Sequence, residues 1–429
     1  MKKKIHICIG ANYGDEGKGR TTDYFAMQSN KPIIVRFNGG AQAGHSVKFG
    51  EHRHVFSHFG AATLRNIPSY FTKDFVCCPD MFVMEYVELH EKMGYKFVEE
   101  NNSFPKQYYN EKCLITSPWD VIVNRVKEFA RGTSKHGSVG LGFGETIERQ
   151  EKFSDITLNV RHLHYCFNSL DKEKGKQYFI EMCRIYVNEY FTPIFDQYKD
   201  VIKSCPDIRD IVDNFESVAY TFYKLCRMFI EKIEIVNNEV EFLKKFDDII
   251  FEGAQGLALD QNSKDFPHVT RSNTGVKNVL NAVNALKNDF AIEVSYVSRP
   301  YFTRHGAGPL RNEVRMPSEI GFHVVDKTNV LNDFQDHLRF ASFNLGDFSY
   351  RIVKDFSELF SNGLDVDVSV NLVFSCMDQI SDKQEGKFVV FDKNQQKVYV
   401  DKSEFFEMIK KHFTFLPNLN IISFQKEEN

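Results

Sequence analysis

The stretch Gly10–Arg20, "GANYGDEGKGR", directly follows the apolar run "IHICI" and decides how the fold is interpreted. An apolar run that enters a glycine-rich turn and then a helical segment is typical of a parallel β-strand followed by a phosphate-binding loop. The backbone N–H groups at the start of such a helix bind an anion, and Lys18 would add a mobile cation. The loop also carries two carboxylates, Asp15 and Glu16, where a bound phosphate would lie. A carboxylate is tolerated there if it holds a magnesium ion or takes a proton from a second substrate.

The spacing within this stretch departs from that of an ordinary P-loop. Six residues separate Gly10 from Gly17-Lys18, where the P-loop has four, and Gly19 stands where a Ser or Thr usually follows the lysine. We therefore interpret the loop as a phosphate site of a different kind, with its acid as the distinguishing feature.

Composition limits the possible classes of protein. The chain has 429 residues, 42% of them hydrophobic, and a net charge of −4, so it can bury a large core. The near-neutral charge argues against a general nucleic-acid-binding protein. No apolar run approaches the roughly 20 residues of a membrane span. The nine cysteines are scattered and odd in number, which predicts a reducing, cytoplasmic setting, and the lack of a long apolar run predicts no membrane partner.

Short apolar runs and glycine turns alternate along the first hundred residues. "KPIIVRF" (31–37) and "YFTKDFVC" (70–77) are predicted strands, and "DMFVMEYVELHEKM" (80–93) is a predicted amphipathic helix. This alternation predicts an α/β fold with a large, mostly parallel central sheet. Residues 114–243 are mostly helical in pattern, after which strands return. We predict one α/β domain over residues 1–429, with a helical insertion at 114–243.

Three further glycine-rich stretches resemble ligand-binding loops. "VRFNGGAQAGHSV" (35–47) ends near His45, and its glycines let a ligand approach the backbone closely. "FEGAQGLALD" and "FPHVTRSNTG", which lie within residues 251–275, supply neutral hydrogen-bonding side chains. "TRHGAGPL" (303–310) combines Arg304 with two glycines. A lone histidine or a polar loop is more often structural than functional, so each stretch by itself is a weak signal.

Taken together, four motifs resemble those of the adenylosuccinate synthetase family. They are "GDEGKGR" with Gly10 upstream, "GGAQAGHS", "FEGAQG" followed by "VTRSNT", and "TRHGAGP", in the family's order over roughly residues 5 to 310. The resemblance implies a fold related to P-loop nucleotide hydrolases. It also implies a GTP-dependent ligase of purine biosynthesis that joins IMP and L-aspartate into adenylosuccinate through a 6-phosphoryl-IMP intermediate. It further implies magnesium as cofactor and a cytoplasmic homodimer.

The resemblance assigns roles to residues of this chain. Asp15 would be the general base that removes the proton beside the 6-oxo group of IMP, and a magnesium ligand together with the carbonyl of Gly44. His45 would hydrogen-bond the 6-oxygen. The residues implied for GTP are Gly14, Asp15, Glu16, Gly17, Lys18, Gly19, Arg20, Gly44, His45, Ser46 and Asp378. Those implied for IMP are Asp15, Lys18, Gln42, His45, Ser138, Gln255 and Thr270.

The sequence departs from the family pattern at several implied positions. Gln42 replaces an asparagine, and Cys376 replaces the lysine next to the guanine-reading Asp378. The aspartate-binding loop of the family, a Thr-Thr-Gly stretch followed by several arginines, appears here as residues 326–344 with a single aligned arginine. The residues implied for L-aspartate are Thr328, Asn329 and Arg339. Arg149 is a candidate for the arginine that the family lends to a neighbouring subunit.

Two other functions remain open. The same chemistry could act on GMP or dGMP, although family members that do so often lack the acid that Asp15 provides. The protein could also be a non-catalytic GTP-binding paralogue, which the altered residues 326–344 would fit and the retained Asp15, Lys18 and His45 would not. Within "EHRHVFSH", Glu51, His52, His54 and His58 could hold a metal, but a histidine-rich surface strand is the simpler interpretation.

Overall fold

The computed structural model describes residues 3–94, 104–153, 158–324 and 337–424. The strands of the described part, in chain order, are β1 Lys3–Gly10, β2 Pro32–Arg36, β3 His45–Phe49, β4 His52–Phe56, β5 Ser69–Phe71, β6 Val76–Cys77, β7 Gln107–Asn110, β8 Leu114–Ile115, β9 Ile233–Val236, β10 Asp248–Glu252, β11 Phe290–Ser298, β12 Tyr301–Arg304, β13 Glu313–Val314, β14 Arg339–Asn344, β15 Val368–Phe374, β16 Phe388–Phe391, β17 Lys397–Val400 and β18 Asn420–Ser423.

The α-helices of the same part are α1 Lys18–Met27, α2 Pro79–Lys92, α3 Pro118–Arg131, α4 Phe143–Lys152, α5 Val160–Phe167, α6 Lys172–Tyr186, α7 Thr192–Gln197, α8 Lys199–Ser204, α9 Pro206–Asp213, α10 Phe215–Ile230, α11 Glu239–Leu243, α12 Leu280–Leu286, α13 Leu345–Ser361 and α14 Lys402–His412. In the first and last thirds of the chain, α-helices directly follow β1, β6, β8, β14 and β17, whereas most other strands lead into further strands or short 3₁₀ turns.

A nine-stranded sheet runs through the molecule in the order β18-β15-β11-β1-β10-β2-β5-β7-β9. Every neighbouring pair in this sheet is parallel, which confirms the predicted parallel α/β architecture. The central strand β1 is buried on both faces: Ile5, Ile7, Cys8 and Ile9 are all fully buried. Burial on both faces explains why this strand is a continuous apolar run rather than an alternating one.

The parallel sheet determines where the glycine-rich loops meet. The carboxyl ends of all its strands lie at one edge, and β1, β10 and β2 are direct neighbours. The loops that follow these strands therefore lie side by side, although β10 (Asp248–Glu252) is far along the chain from β1 and β2. Ligands of open α/β sheets bind at this edge.

One predicted element is wrong in detail. "YFTKDFVC" is not one strand: the backbone N–H of Phe75 bonds to the carbonyl of Thr72, and this turn separates β5 from β6. β5 belongs to the central sheet, whereas β6 pairs with β8. In addition, β12, β13, β14, β16 and β17 form a separate five-stranded sheet, so the strand-forming residues of the chain do not all extend the central one.

The region 114–243 is mostly helical, and it leads back to the central sheet. Its helices α3–α10 pack on a second apolar core that includes Trp119, Phe179 and Phe222. After α10 the chain forms β9, which pairs with β7 in parallel at the edge of the central sheet. We infer that the region is an insertion anchored at its end by this edge strand.

Candidate active site

The loop after β1 has the predicted strand–turn–helix form. Gly17 precedes α1 in a left-handed conformation (φ 94°), and Lys18 is the first residue of the helix. Glu16 is 2% exposed and accepts hydrogen bonds from the backbone N–H of Asn12 at 2.6 Å and from Lys18 Nζ at 3.2 Å. Burial raises the pKa of Glu16, although Lys18 and Asn12 oppose this effect. Glu16 thus stabilises the loop from inside.

Asp15, in contrast, lies at the surface of the loop. Its backbone is left-handed (φ 57°) and its carbonyl accepts a hydrogen bond from Arg299 Nε. Its Oδ2 lies 2.8 Å from Nε2 of His305, and its side chain is 28% exposed. Burial alone would raise the pKa of this carboxyl, but His305, Arg299 and Lys18 outweigh burial and hold the pKa at about 2. Asp15 is therefore an accessible, ionised carboxylate at neutral pH.

His45 is oriented by a buried carboxylate. Its Nδ1 lies 2.5 Å from Oε1 of Glu252, the last residue of β10, whose other oxygen accepts the N–H of Ala61 at 3.0 Å. Burial lowers the pKa of His45, although the neighbouring carboxylate of Glu252 opposes this effect. Burial would raise the pKa of Glu252, but the imidazole of His45 outweighs burial, and the pKa of Glu252 is lowered. Glu252 thus remains ionised, and Nε2 is the ring nitrogen able to contact a ligand.

The surroundings of Gly19 explain why a glycine stands where the P-loop has Ser or Thr. A Cβ at this position would lie 2.7 Å from Cβ of His45 and 3.2 Å from its backbone. Such contacts are far inside van der Waals distance, so a Ser or Thr here would push α1 away from β3. The glycine allows the loop that carries Lys18 and the strand that carries His45 to touch.

Two glutamines converge on the turn after β2. A Cβ on Gly39 would lie 3.1 Å from Oε1 of Gln255, and a Cβ on Gly40 would lie 3.0 Å from Oε1 of Gln42. Both amide atoms of Gln42 and the Oε1 of Gln255 are buried without a hydrogen-bond partner in the described structure, as is Oγ of Ser46. Buried polar atoms are nearly always satisfied in proteins, so these groups indicate the place of a polar ligand.

Arginines surround the loop after β1. Besides Arg299, Arg351 donates to the carbonyl of Ala11 at 2.9 Å, and the guanidinium of Arg304 lies 4.8 Å from the ring centre of Tyr13. Burial lowers the pKa of Arg304 and of Arg351 despite nearby Tyr13. A guanidinium stays protonated under such conditions. The loop therefore lies in a positive field that suits anionic ligands.

The turn after β15 lies against the same loop. Ser375 Oγ donates to the carbonyl of Glu16 at 2.7 Å. Cys376 is left-handed (φ 59°) and begins a short 3₁₀ turn, Met377–Gln379, that leaves Asp378 exposed. Asp378 is thus accessible at the sheet edge beside the phosphate-binding loop, where a nucleotide base could reach it.

The remaining residues predicted for IMP belong to neighbouring loops. Ser138 donates to Oδ1 of Asn124 at 2.9 Å, in a loop that touches the stretch after β12 through Gly137 and Gly306. Thr270 bonds through its backbone N–H to Leu259 and is half-buried. Arg20, also predicted to bind GTP, lies with its guanidinium 4.7 Å from the ring centre of Phe424.

Other predicted residues are engaged elsewhere or lie outside the described residues. Thr328 and Asn329, predicted to bind L-aspartate, lie outside the described residues. Arg339 forms an ion pair with Glu313 and donates to the carbonyls of Gly306 and Gly308, so its guanidinium supports a loop in this structure. Its role in binding L-aspartate stays a prediction.

Arg149 is not placed to reach another subunit. It is 1% exposed and forms a bidentate ion pair with Asp120, with both contacts at 3.0 Å. Burial would lower the pKa of this guanidinium, but Asp120 outweighs burial and raises it. Arg149 therefore stabilises the packing of α4 against α3.

The histidine-rich segment 51–58 is only partly a surface strand. His54 and His58 are buried; His54 Nε2 lies 3.2 Å from Glu85, and Tyr109 OH lies 3.1 Å from His58 Nδ1. Within the described ranges, no group of three or more His, Cys, Asp or Glu side chains is arranged to hold a metal ion. These histidines are structural.

Sequence reasoning missed four residues of this site. Glu252 lies inside the quoted "FEGAQG" and His305 inside "TRHGAGP", but neither received a role. Arg299 and Arg351 lie outside the glycine-rich motifs. Their contacts with Ala11 and Asp15 span 284 residues or more, and no local pattern predicts such pairs.

These features define an α/β protein with an anionic-ligand site at the carboxyl edge of a parallel sheet. Residues 7–341 match the family model of adenylosuccinate synthetase, and the chain belongs to this family. It is 28% identical to the adenylosuccinate synthetase of Clostridium beijerinckii over 311 residues, which cover 72% of this chain and 65% of that protein. The corresponding match in Limosilactobacillus reuteri is 29% over 321 residues, 74% of this chain and 66% of the relative. The match thus spans slightly less than two thirds of these relatives.

Solved structures share the fold. The fully ligated adenylosuccinate synthetase of Plasmodium falciparum superposes with a TM-score of 0.64 at 19% identity, covering 92% of this chain and 82% of the other. The succinoaminodeoxyadenylate synthetase of cyanophage S-2L, bound to dGMP and dATP, superposes with a TM-score of 0.55 at 12% identity. That match covers 96% of this chain and all of the phage protein.

Two general features accompany the site. In the described ranges, no helix has the length and apolar character needed to cross a bilayer. All nine cysteines lie in these ranges as free thiols; seven are buried, and Cys205 and Cys376 are half-buried.

Proposed function

We propose that the protein is a GTP-dependent ligase that joins IMP and L-aspartate into adenylosuccinate, with GDP and phosphate as the other products. The observation that carries the proposal is the loop after β1, which places an accessible ionised carboxylate, Asp15, three residues before Lys18 at a helix start. A phosphate site that also contains a free base suits a reaction in which a second substrate is deprotonated beside the nucleotide triphosphate.

The proposed chemistry uses this chain's residues as follows. Asp15 accepts the proton from the ring nitrogen beside the 6-oxo group of IMP. The 6-oxygen then attacks the γ-phosphate of GTP, while Lys18 and the N–H groups of the loop bind the phosphates. His45 donates from Nε2 to the 6-oxygen once the ring is protonated, and Glu252 at Nδ1 counters the burial that disfavours the imidazolium. The amine of L-aspartate finally displaces the phosphate from the 6-phosphoryl intermediate.

Magnesium fits the donor groups of this site. Asp15 provides one hard, ionised oxygen ligand and the exposed Gly44 a backbone carbonyl. Magnesium is commonly held by one or two carboxylates plus substrate phosphates rather than by an all-protein cage. When bound, the ion offsets the charge of the phosphates beside Asp15. GTP, IMP and L-aspartate are the proposed small-molecule partners, and a cytoplasmic homodimer is the proposed assembly.

One observation supports GMP or dGMP as an alternative acceptor nucleotide. The chain covers the whole length of a phage synthetase whose structure holds dGMP, so the fold itself accommodates a 2-amino purine. The retained Asp15 favours IMP over GMP and dGMP. Gln42, with its whole amide unpartnered, and Gln255, with Oε1 unpartnered, are the side chains that we expect to contact the purine or its ribose.

A phosphate-release assay tests the proposal. The full chain with GTP and magnesium should release phosphate only when both a 6-oxopurine nucleotide and L-aspartate are present. IMP, GMP and dGMP are compared as acceptors, and EDTA should abolish the signal. Equal rates without any acceptor would identify a simple GTPase and overturn the proposal. GTP binding without turnover under every combination would identify the non-catalytic paralogue.

A further inference from the structure

His305 lies within "TRHGAGP", and it contacts the residue proposed as the general base. Its Nε2 lies 2.8 Å from Oδ2 of Asp15, and both side chains are 28% exposed. A carboxylate oxygen at this distance accepts a hydrogen bond, so Nε2 of His305 carries the hydrogen.

The loop that carries His305 is held rigidly from two sides. On one side it packs on the stretch that contains Ser138: a Cβ on Gly137 would lie 2.4 Å from Cα of Gly306, so the two backbones are in direct contact. On the other side Arg339 donates to the carbonyls of Gly306 and Gly308 at 3.1 and 2.8 Å, with Glu313 fixing its guanidinium. A rigid support of this kind lets a hydrogen bond orient its partner rather than follow it.

Asp15 is therefore oriented at both ends. Arg299 binds its backbone carbonyl, and His305 binds one oxygen of its side chain. Two fixed points on a left-handed residue determine the direction of the carboxylate, which leaves the second oxygen, Oδ1, for another partner.

We propose that His305 is a positioning residue that holds Oδ2 of Asp15 through its Nε2–H and so presents Oδ1 to the acceptor substrate. The proposal rests on the proposed ligase function, because it needs Asp15 to act as the base. It also gives Arg339 a role different from aspartate binding: Arg339 supports the loop that carries His305.

Substitutions that differ only in donor position test the proposal. His305→Leu removes the donor and should lower kcat about 10–100-fold, in the range found for residues that orient a metal-binding or catalytic carboxylate. The KM for GTP and the thermal midpoint should stay near those of the unmodified chain. His305→Gln places an amide N–H near the position of Nε2 and should restore most of kcat. His305→Asn reaches only as far as Nδ1 and should not. His164→Gln, on the exposed side of α5, is the matched control and should change nothing.

A double-mutant cycle and a spectroscopic signature separate positioning from a general structural effect. In the Asp15→Asn background, His305→Leu should add almost no further loss, because the residue acts through Asp15. In ¹⁵N-histidine NMR spectra, the Nε2–H signal of His305, assigned by its loss in His305→Gln, should shift in Asp15→Asn. Full activity of His305→Leu, or a full additional loss in the Asp15→Asn background, would overturn the proposal.

These readouts also distinguish this proposal from the proposed function. An unmodified chain that releases no phosphate with any acceptor would refute the ligase function, and with it the role of His305 in presenting a base. An active chain whose His305 signal does not respond to Asp15→Asn would refute the positioning role alone.

Discussion

At the scale of single residues, Asp15 is the side chain on which the proposed chemistry depends. Asp15→Asn keeps the size of the side chain but removes its charge and its capacity to accept a proton. We expect kcat to fall about 10²–10⁴-fold, the usual cost of losing a general base. GTP binding, measured by calorimetry, should change little because Lys18 and the loop N–H groups remain. Near-normal turnover in this variant would be incompatible with the proposed role.

His45 and Glu252 contact each other, and substitutions distinguish the contribution of each residue to kcat. His45→Asn should lower kcat about 10²–10³-fold, the cost of removing one group that stabilises a developing oxyanion. Glu252→Gln should cause a smaller loss in the same direction, because an amide no longer stabilises the protonated imidazole. Steady-state rates and thermal unfolding are compared for both. A variant of either residue that is less stable but fully active would make the pair purely structural.

Asp378 provides a test of the nucleotide. Its exposed carboxylate can accept hydrogen bonds from the ring N–H and the exocyclic amine of guanine, whereas adenine offers no such pair of donors. Hydrogen bonds to a charged group are worth about 1.5–3 kcal/mol, so GTP should be preferred over ATP by about tenfold or more in kcat/KM. Asp378→Ala should erase most of this preference. Equal turnover of ATP and GTP by the unmodified chain would show that this residue does not read the base.

At the scale of elements, the docking of α13 depends on one buried carboxyl. Asp355 accepts hydrogen bonds from the N–H of Val276 and the hydroxyl of Tyr296, both at 2.9 Å. A Cβ on Gly275 would lie only 1.7 Å from its Oδ1, so the carboxyl packs directly on the loop backbone. Burial raises the pKa of Asp355 from 3.8 to about 7, although Val276 and Tyr296 lower it.

The raised pKa determines how stability depends on pH. The folded protein binds the proton of Asp355 more tightly than the unfolded chain, so the associated stability is fully present below about pH 4 and is lost as pH rises through about 7. Asp355→Asn stays neutral throughout. The difference in free energy of unfolding between Asp355→Asn and the unmodified chain, measured in urea, should therefore rise in favour of the variant between pH 4 and 7, by up to roughly 4 kcal/mol. A constant difference over this range would contradict the raised pKa.

At the scale of the whole molecule, the family match and the folded unit have different limits. The match ends at residue 341, but β15 and β18, which complete the central sheet beside β11, lie beyond it. Arg351 and Ser375, which hold the loop after β1, also lie beyond it. We therefore expect residues 342–429 to be an integral part of a single domain.

Truncation after Ala341 tests this expectation. The shortened chain would expose β11 as an unpaired edge and leave the loop after β1 without two of its contacts, and exposed edges promote aggregation. It should show no cooperative urea transition and no GTP binding, whereas the full chain shows both. A truncated chain that unfolds cooperatively and binds GTP would show that the C-terminal part is a separate unit.

Much of the fold was predictable because it depends on local pattern. The apolar run of β1, the glycines of residues 10–20 and the helical spacing after Lys18 predict a strand, a turn and a helix from adjacent residues alone. The polar Lys73 and Asp74 inside "YFTKDFVC" mark the turn that divides it into β5 and β6, but no local pattern shows that β5 joins the central sheet while β6 pairs with β8.

The sequence by itself determined the class of fold, the loops at which ligands would bind, and the choice of Asp15, Lys18 and His45 as candidate site residues. Short-range patterns encode these features, since each motif is contiguous in the chain. The tertiary structure alone decided which side chains face one another: Glu252 meets His45, His305 meets Asp15, and Arg339 donates to the carbonyls of the loop that carries His305. The order of strands in the sheet brings these partners together, and sheet order follows from long-range packing that no single stretch of sequence contains.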